Sequence, residues 1–141
     1  MRSSEAKSAI DKYAKMNTRT AGEYANPHRL IQMLMEGALE KIATAKGYME
    51  RKEIADKGVY ISWAISIIDG LRISLDHKNG GELASNLEAV YDYMQRRLVE
   101  ANIHNKVEML DEVSGLIRSI KEAWDNIPTQ IDVEQFKQTG I

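Results

Sequence analysis

Few residues in this chain are of a kind and spacing that could carry chemistry. It has 141 residues, three histidines and no cysteine. Without thiols there is no zinc thiolate site, no thiol nucleophile and no disulfide, and nothing calls for an oxidising compartment. A di-metal centre in a helical protein needs Glu-x-x-His pairs, so that a carboxylate and an imidazole one turn apart reach the same ions. The residues three before His28, His77 and His104 are Ala25, Ser74 and Ala101. That motif is absent and no metal is expected. The histidines fall at a helix start, a helix end and an inter-helix corner, which reads as three exposed capping positions. No Gly-x-Ser-x-Gly elbow occurs, so Ser62, Ser66 and Ser74 read as small residues on helix faces. Gly80-Gly81 is the only glycine pair, and neither phosphate-loop nor dinucleotide spacing follows it. Acidic residues are scattered over outer faces in the manner of a solvated surface. No catalytic residue, cofactor or metal is assigned, and the sequence argues against an enzyme.

What remains is apolar surface. Met33, Met35, Met49, Met94 and Met109 make the body rich in methionine, which either fills core gaps or lines grooves that accept partner helices. Leu87, Tyr91, Met94 and Leu98 form one stripe, and Leu71 and Leu75 widen the apolar face of the helix before it. Core packing and partner binding both remain open for these six. Before the body, Ile10, Tyr13 and Met16 recur three residues apart in a polar stretch, a small sticky face that either docks on the body or meets a partner.

The elements that position these residues follow from spacing. Asn26-Pro27 reads as an N-cap with proline at the first helical position, opening a helix over about 27–50 with apolar residues on more than one side. Arg51, Lys52 and Glu53 mark a charged break. A second helix is expected over about 55–78; its 59–68 stretch is rich in β-branched residues, yet the helix around it is the simpler account. Asn79-Gly80-Gly81 is expected to stop it, since glycine takes the left-handed conformation of a C-cap without a Cβ penalty. A third helix follows over about 82–102, with Asp92 and Arg96 placed for an i,i+4 pair. Asn105 is expected to cap a fourth, with Glu108 completing a capping box. Four helices of similar length joined by short corners must be antiparallel neighbours. The fold class is all-α, an up-down four-helix bundle over 27–127, with an N-terminal arm over 1–26 and a C-terminal tail over 128–141.

Composition narrows the partners. A net charge of -2 opposes a surface that tracks phosphates, so nucleic acid is not expected. The longest apolar run is about half the length of a membrane span, and the N-terminus lacks the apolar core of a secretory signal, so the expected location is the cytosol.

Four blocks in order, NPHRLIQMLMEGALEKIATAKG, AISIIDGLRISLD, NGGELASNLEAVYDYMQRRLVEAN and GLIRSIKEAW, resemble the flagellar export chaperones of the FliS family over about residues 13–124. The resemblance implies an antiparallel helical bundle that binds the disordered C-terminal region of flagellin in the cytoplasm. It would thereby prevent premature polymerisation and help present flagellin to the gate of the flagellar type III export apparatus. No nucleotide or metal is implied. In the family the tyrosine-bearing segment before the first helix is linked to the client surface, and Tyr13 matches that position. On this reading Ile10, Tyr13, Leu71, Leu75, Leu87, Tyr91, Met94 and Leu98 are the expected partner-binding residues. The alternative is a helical adaptor that uses the same face for another amphipathic helix or for a second copy of itself, as a homodimer.

Overall fold

The computed structural model describes residues 26–127, and all four elements in that span are helices: α1 (Pro27–Glu50), α2 (Ile54–Ile73), α3 (His77–His104) and α4 (Val107–Asp125). α1 packs against α2 and α4, α2 against α3, and α3 against α4, which closes a ring. Pairings between the start of one helix and the end of the next show neighbours to be antiparallel. Tyr48 meets Tyr60 across the α1–α2 seam, and Lys46 reaches Asp111 at 2.9 Å across α1–α4. The all-α up-down bundle is therefore present as expected.

Local chemistry sets the helix ends. The Asn26 side chain accepts the His28 N–H at 2.9 Å with Pro27 at the first helical position, as its spacing requires. Lys52, at φ 61°, turns the chain between α1 and α2. Two expectations are corrected. First, α2 ends at Ile73, not near Lys78, because Asp76 rather than the glycine pair governs the corner. Its carboxylate accepts from the Asn79 backbone and side chain at 3.1 and 3.0 Å, starting α3 at His77. One helical turn then runs into Gly81, whose φ of 50° and ψ of −124° kink the helix before it continues. Second, Asn105 does not cap α4 and no capping box forms. Asn105 is the left-handed C-cap of α3 (φ 52°, ψ 49°), and Lys106 precedes α4 with no side-chain cap.

The core runs through the ring. Leu34, Met35 and Ile42 of α1 meet Ile61, Ile67, Ile68 and Leu71 of α2, Tyr91, Met94 and Leu98 of α3, and Leu110, Ile117 and Trp124 of α4. Each such side chain contributes roughly 1.5–3 kcal/mol by leaving water. α1 is buried on more than one side, with Ile31, Leu34, Ala38 and Ile42 as well as Met33 and Gly37 inside, because it touches two neighbours. The β-branched stretch of α2 is helical throughout, since packing on both sides outweighs a small difference in propensity.

Candidate partner-binding face

α2 carries apolar side chains on nearly every side but, among the described residues, has helical neighbours on only two. A helix apolar all round is normally enclosed. Here Ile54, Val59 and Ile73 are exposed, and Tyr60, Trp63 and Ile65 half-buried. α3 extends this surface with Val99, 47% exposed, and Ile103, 65% exposed. Between α2 and α3 runs a groove of about 480 Å³ lined by Ile65, Asp92, Gln95, Arg96, Val99 and Glu100. Gly58 stands against Asn102 along the same seam, so the α2 bank is low and a helix backbone can come close.

The floor of the groove is polar and internally satisfied. Buried Gln95 donates to the Ile65 carbonyl at 3.1 Å and to Asp69 at 3.3 Å, and accepts from Arg72 at 2.7 Å. Arg72 also lies 3.6 Å from Asp92, which pairs with Arg96 at 3.0 Å, the i,i+4 pair read from the sequence. This belt fixes α3 against α2 and divides the face. The half toward Ile54 and Ile103 is apolar and the half toward the corner is charged, with His77 on Glu88 at 2.8 Å. At the apolar end, buried Lys57 donates to the Asn102 carbonyl at 2.9 Å and to Asn105 at 2.5 Å, closing the last turn of α3.

Two further clusters lie outside the groove. Along α1–α2, Arg51 stacks over Tyr48, Tyr48 packs on Tyr60, Tyr60 on Trp63, and Lys41 covers Trp63 at 4.0 Å. Across α3–α4, Glu112 accepts from Arg97 at 2.8 Å and from the Tyr93 hydroxyl at 2.5 Å. The hydrogen bonds from Tyr93 and then Arg97 hold the Glu112 carboxyl below its ordinary range, and the bond to Glu112 holds the Tyr93 phenol above its own.

The residues expected at a partner surface divide. Leu71, Tyr91, Met94 and Leu98 are sealed in the core, Leu75 and Leu87 are half-buried at its edge, and Ile10 and Tyr13 lie outside the described residues. Sequence reasoning passed over Ile54, Ile65, Val99 and Ile103. The available signal was that these residues make α2 and the end of α3 apolar beyond what one buried stripe needs. The exposed capping role expected for His28 is corrected. Its ring is buried, stacked 4.7 Å from Trp124, with Nε2 bonded to the Trp124 carbonyl at 2.9 Å, while the Trp124 indole N–H donates to the His28 carbonyl at 2.9 Å. His77 and His104 are exposed at helix ends. Among the described residues no group of three potential ligands is placed to hold a metal, and no helix is long and apolar enough to cross a membrane.

Comparison with known proteins finds relatives over most of the chain. A family model described as flagellar protein FliS matches residues 9–131. The flagellar secretion chaperone FliSB of Pseudomonas aeruginosa is 51% identical over 122 residues, covering 86% of this chain and 97% of that protein. The flagellar secretion chaperone FliS of Salmonella typhimurium is 41% identical over 131 residues, covering 92% and 97%. That of Bacillus subtilis is 38% identical over 109 residues, covering 77% and 76%.

Proposed function

The chain belongs to the FliS family of flagellar proteins, and from that premise we propose that it is a non-enzymatic cytoplasmic export chaperone whose client is the C-terminal segment of flagellin. The observation that carries this reading is the uncovered apolar side of α2 continued by Val99 and Ile103 on α3. An amphipathic client helix laid in the α2–α3 groove buries its apolar stripe against Ile54, Ile65, Val99 and Ile103, while its flanking polar residues meet the rim of Asp92, Arg96 and Glu100. Client side chains covered in this way are withheld from polymerisation, and the ordering of the client costs a few kcal/mol of the gross interaction.

Co-purification with full-length flagellin tests the proposal: a stable complex is expected, and it should vanish when the client's C-terminal segment is deleted. Persistence of the complex after that deletion would sink the assignment of the client segment. For the groove, Val99→Asp and Ile103→Asp should each lower affinity about tenfold or more by calorimetry, since each removes roughly 1.5 kcal/mol or more of apolar contact. Both sites are exposed, so helicity should be unchanged. Unaltered affinity in both variants places the client elsewhere.

A further inference from the structure

Asn79-Gly80 is the one place in the chain where an asparagine precedes a glycine, and that pair can undergo a reaction of its own. Glycine has no Cβ to shield its nitrogen, so the Gly80 nitrogen, once it gives up its proton to solvent base, can attack the Asn79 side-chain carbonyl carbon. The bond from that carbon to the amide nitrogen then breaks and ammonia leaves. The cyclic imide so formed takes up water at either of its carbonyls and opens to aspartate, or to isoaspartate, whose main chain runs through Cβ. Water and base suffice.

Asn79 is exposed, so both can reach it, but the corner holds each group that the reaction uses. Gly80 is buried, and its N–H donates to the Asp76 carbonyl at 2.7 Å. The Asn79 amide donates from Nδ2 to the Asp76 carboxylate at 3.0 Å, and the Asn79 N–H donates to its other oxygen at 3.1 Å. In a helix the N–H points along the axis to the carbonyl four residues back, so the nucleophile faces Asp76 and not the Asn79 side chain. This restraint is only as firm as its turn. Gly81, at φ 50° and ψ −124°, breaks the helical run directly after Gly80, so His77 to Gly80 form a single turn without the cooperative support of the rest of α3. The His77–Glu88 pair at 2.8 Å spans the kink, but both partners are nearly half exposed and such pairs are weak.

We propose that Asn79 is a site of spontaneous deamidation whose rate is set by opening of the first turn of α3, with Asp76 as the residue that restrains it. The product acts on its own restraint. Aspartate at 79 puts a second carboxylate where an amide now donates to Asp76, and isoaspartate lengthens the main chain inside the turn. Either change loosens the cap.

The full chain aged in mildly alkaline buffer tests this, with peptide mass spectrometry separating asparagine, aspartate and isoaspartate at 79. Conversion should be slower in the folded chain than in the same chain in guanidinium. Asp76→Ala should speed it in the folded state about fivefold, as the loss of a cap shifts the opening equilibrium. Asp76→Ser restores an acceptor for the Asn79 N–H and should return most of the protection. Conversion as fast in the folded chain as in guanidinium overturns the proposal, and that comparison stands even if Asp76→Ala loses its helicity. Equal rates in the Asp76→Ala and Asp76→Ser chains overturn the role of Asp76. Asn79→Asp carries the charge of the product without the imide and should speed exchange of the Gly80 amide hydrogen several-fold. Unchanged exchange would overturn the effect on the cap.

Discussion

Lys57 carries its ammonium into the bundle and ends it on two neutral oxygens, the Asn102 carbonyl and the Asn105 side chain, at the C-terminus of α3. The position is favourable because the last carbonyls of a helix have no partners of their own and present the negative end of its dipole. Lys57→Met keeps most of the stem and removes the donor, leaving the part-buried Asn102 carbonyl without its ammonium partner. We expect a loss of about 1–3 kcal/mol in urea denaturation, with the α3 end opening first in hydrogen exchange. An unchanged midpoint would mean that water replaces the ammonium without cost. How legible a residue was in the sequence tracked the range of its partners. Asn26 was readable because both of its relevant neighbours, Pro27 and His28, are adjacent. Asn105 was misread because asparagine suits an N-cap and a left-handed C-cap equally well, and the deciding contact comes from Lys57. His28 was misread because its ring is placed by Trp124, ninety-six residues away.

At the scale of elements, spacing located the helices and misjudged one corner. The alternatives at the α2–α3 junction were a glycine pair and an aspartate. The glycines looked stronger because they alone reach positive φ freely, yet Asp76 stops α2 earlier by capping the next helix. Gly81 retains a separate role, the kink after the first turn of α3. Its φ of 50° with ψ of −124° is a conformation that L side chains rarely adopt, although an added Cβ would meet nothing within 4 Å. Gly81→Ala therefore isolates backbone strain from crowding. It should cost about 1–3 kcal/mol, less roughly 0.5–1 kcal/mol regained because alanine is less free in the unfolded chain. D-alanine introduced by chemical ligation should recover stability. Equal melting temperatures for the two alanine forms would remove strain as the explanation. The functional face was less legible than the helices for a related reason. Periodicity identifies which residues are apolar on a helix, but Met94 and Val99 on α3 both belong to apolar patterns, and only the placement of α2 and α4 puts Met94 inside and leaves Val99 out.

For the whole molecule, the central question is whether the ring is complete without its ends. The last helix returns to the first through the stacked pair His28 and Trp124, whose two reciprocal hydrogen bonds join the start of α1 to the end of α4. Gln32 on Asp125 at 2.8 Å and Lys46 on Asp111 extend the same seam to both ends. Because this closure lies within residues 26–127, the arm and tail are not needed to join the first helix to the last. We therefore expect a chain cut to residues 26–127 to keep its helicity and melt cooperatively, as small single domains do. His28→Ala in that shortened chain should remove the stack and the ring hydrogen bond to the Trp124 carbonyl, which keeps the Ile127 N–H at 3.1 Å, and lower stability by about 1–3 kcal/mol, the sum of a lost hydrogen bond and a lost aromatic contact. The same substitution in the full chain should cost a similar amount if the ends contribute little to closure. A broad, uncooperative transition in the shortened chain, next to a sharp one in the full chain, would show instead that the arm or the tail forms part of the ring.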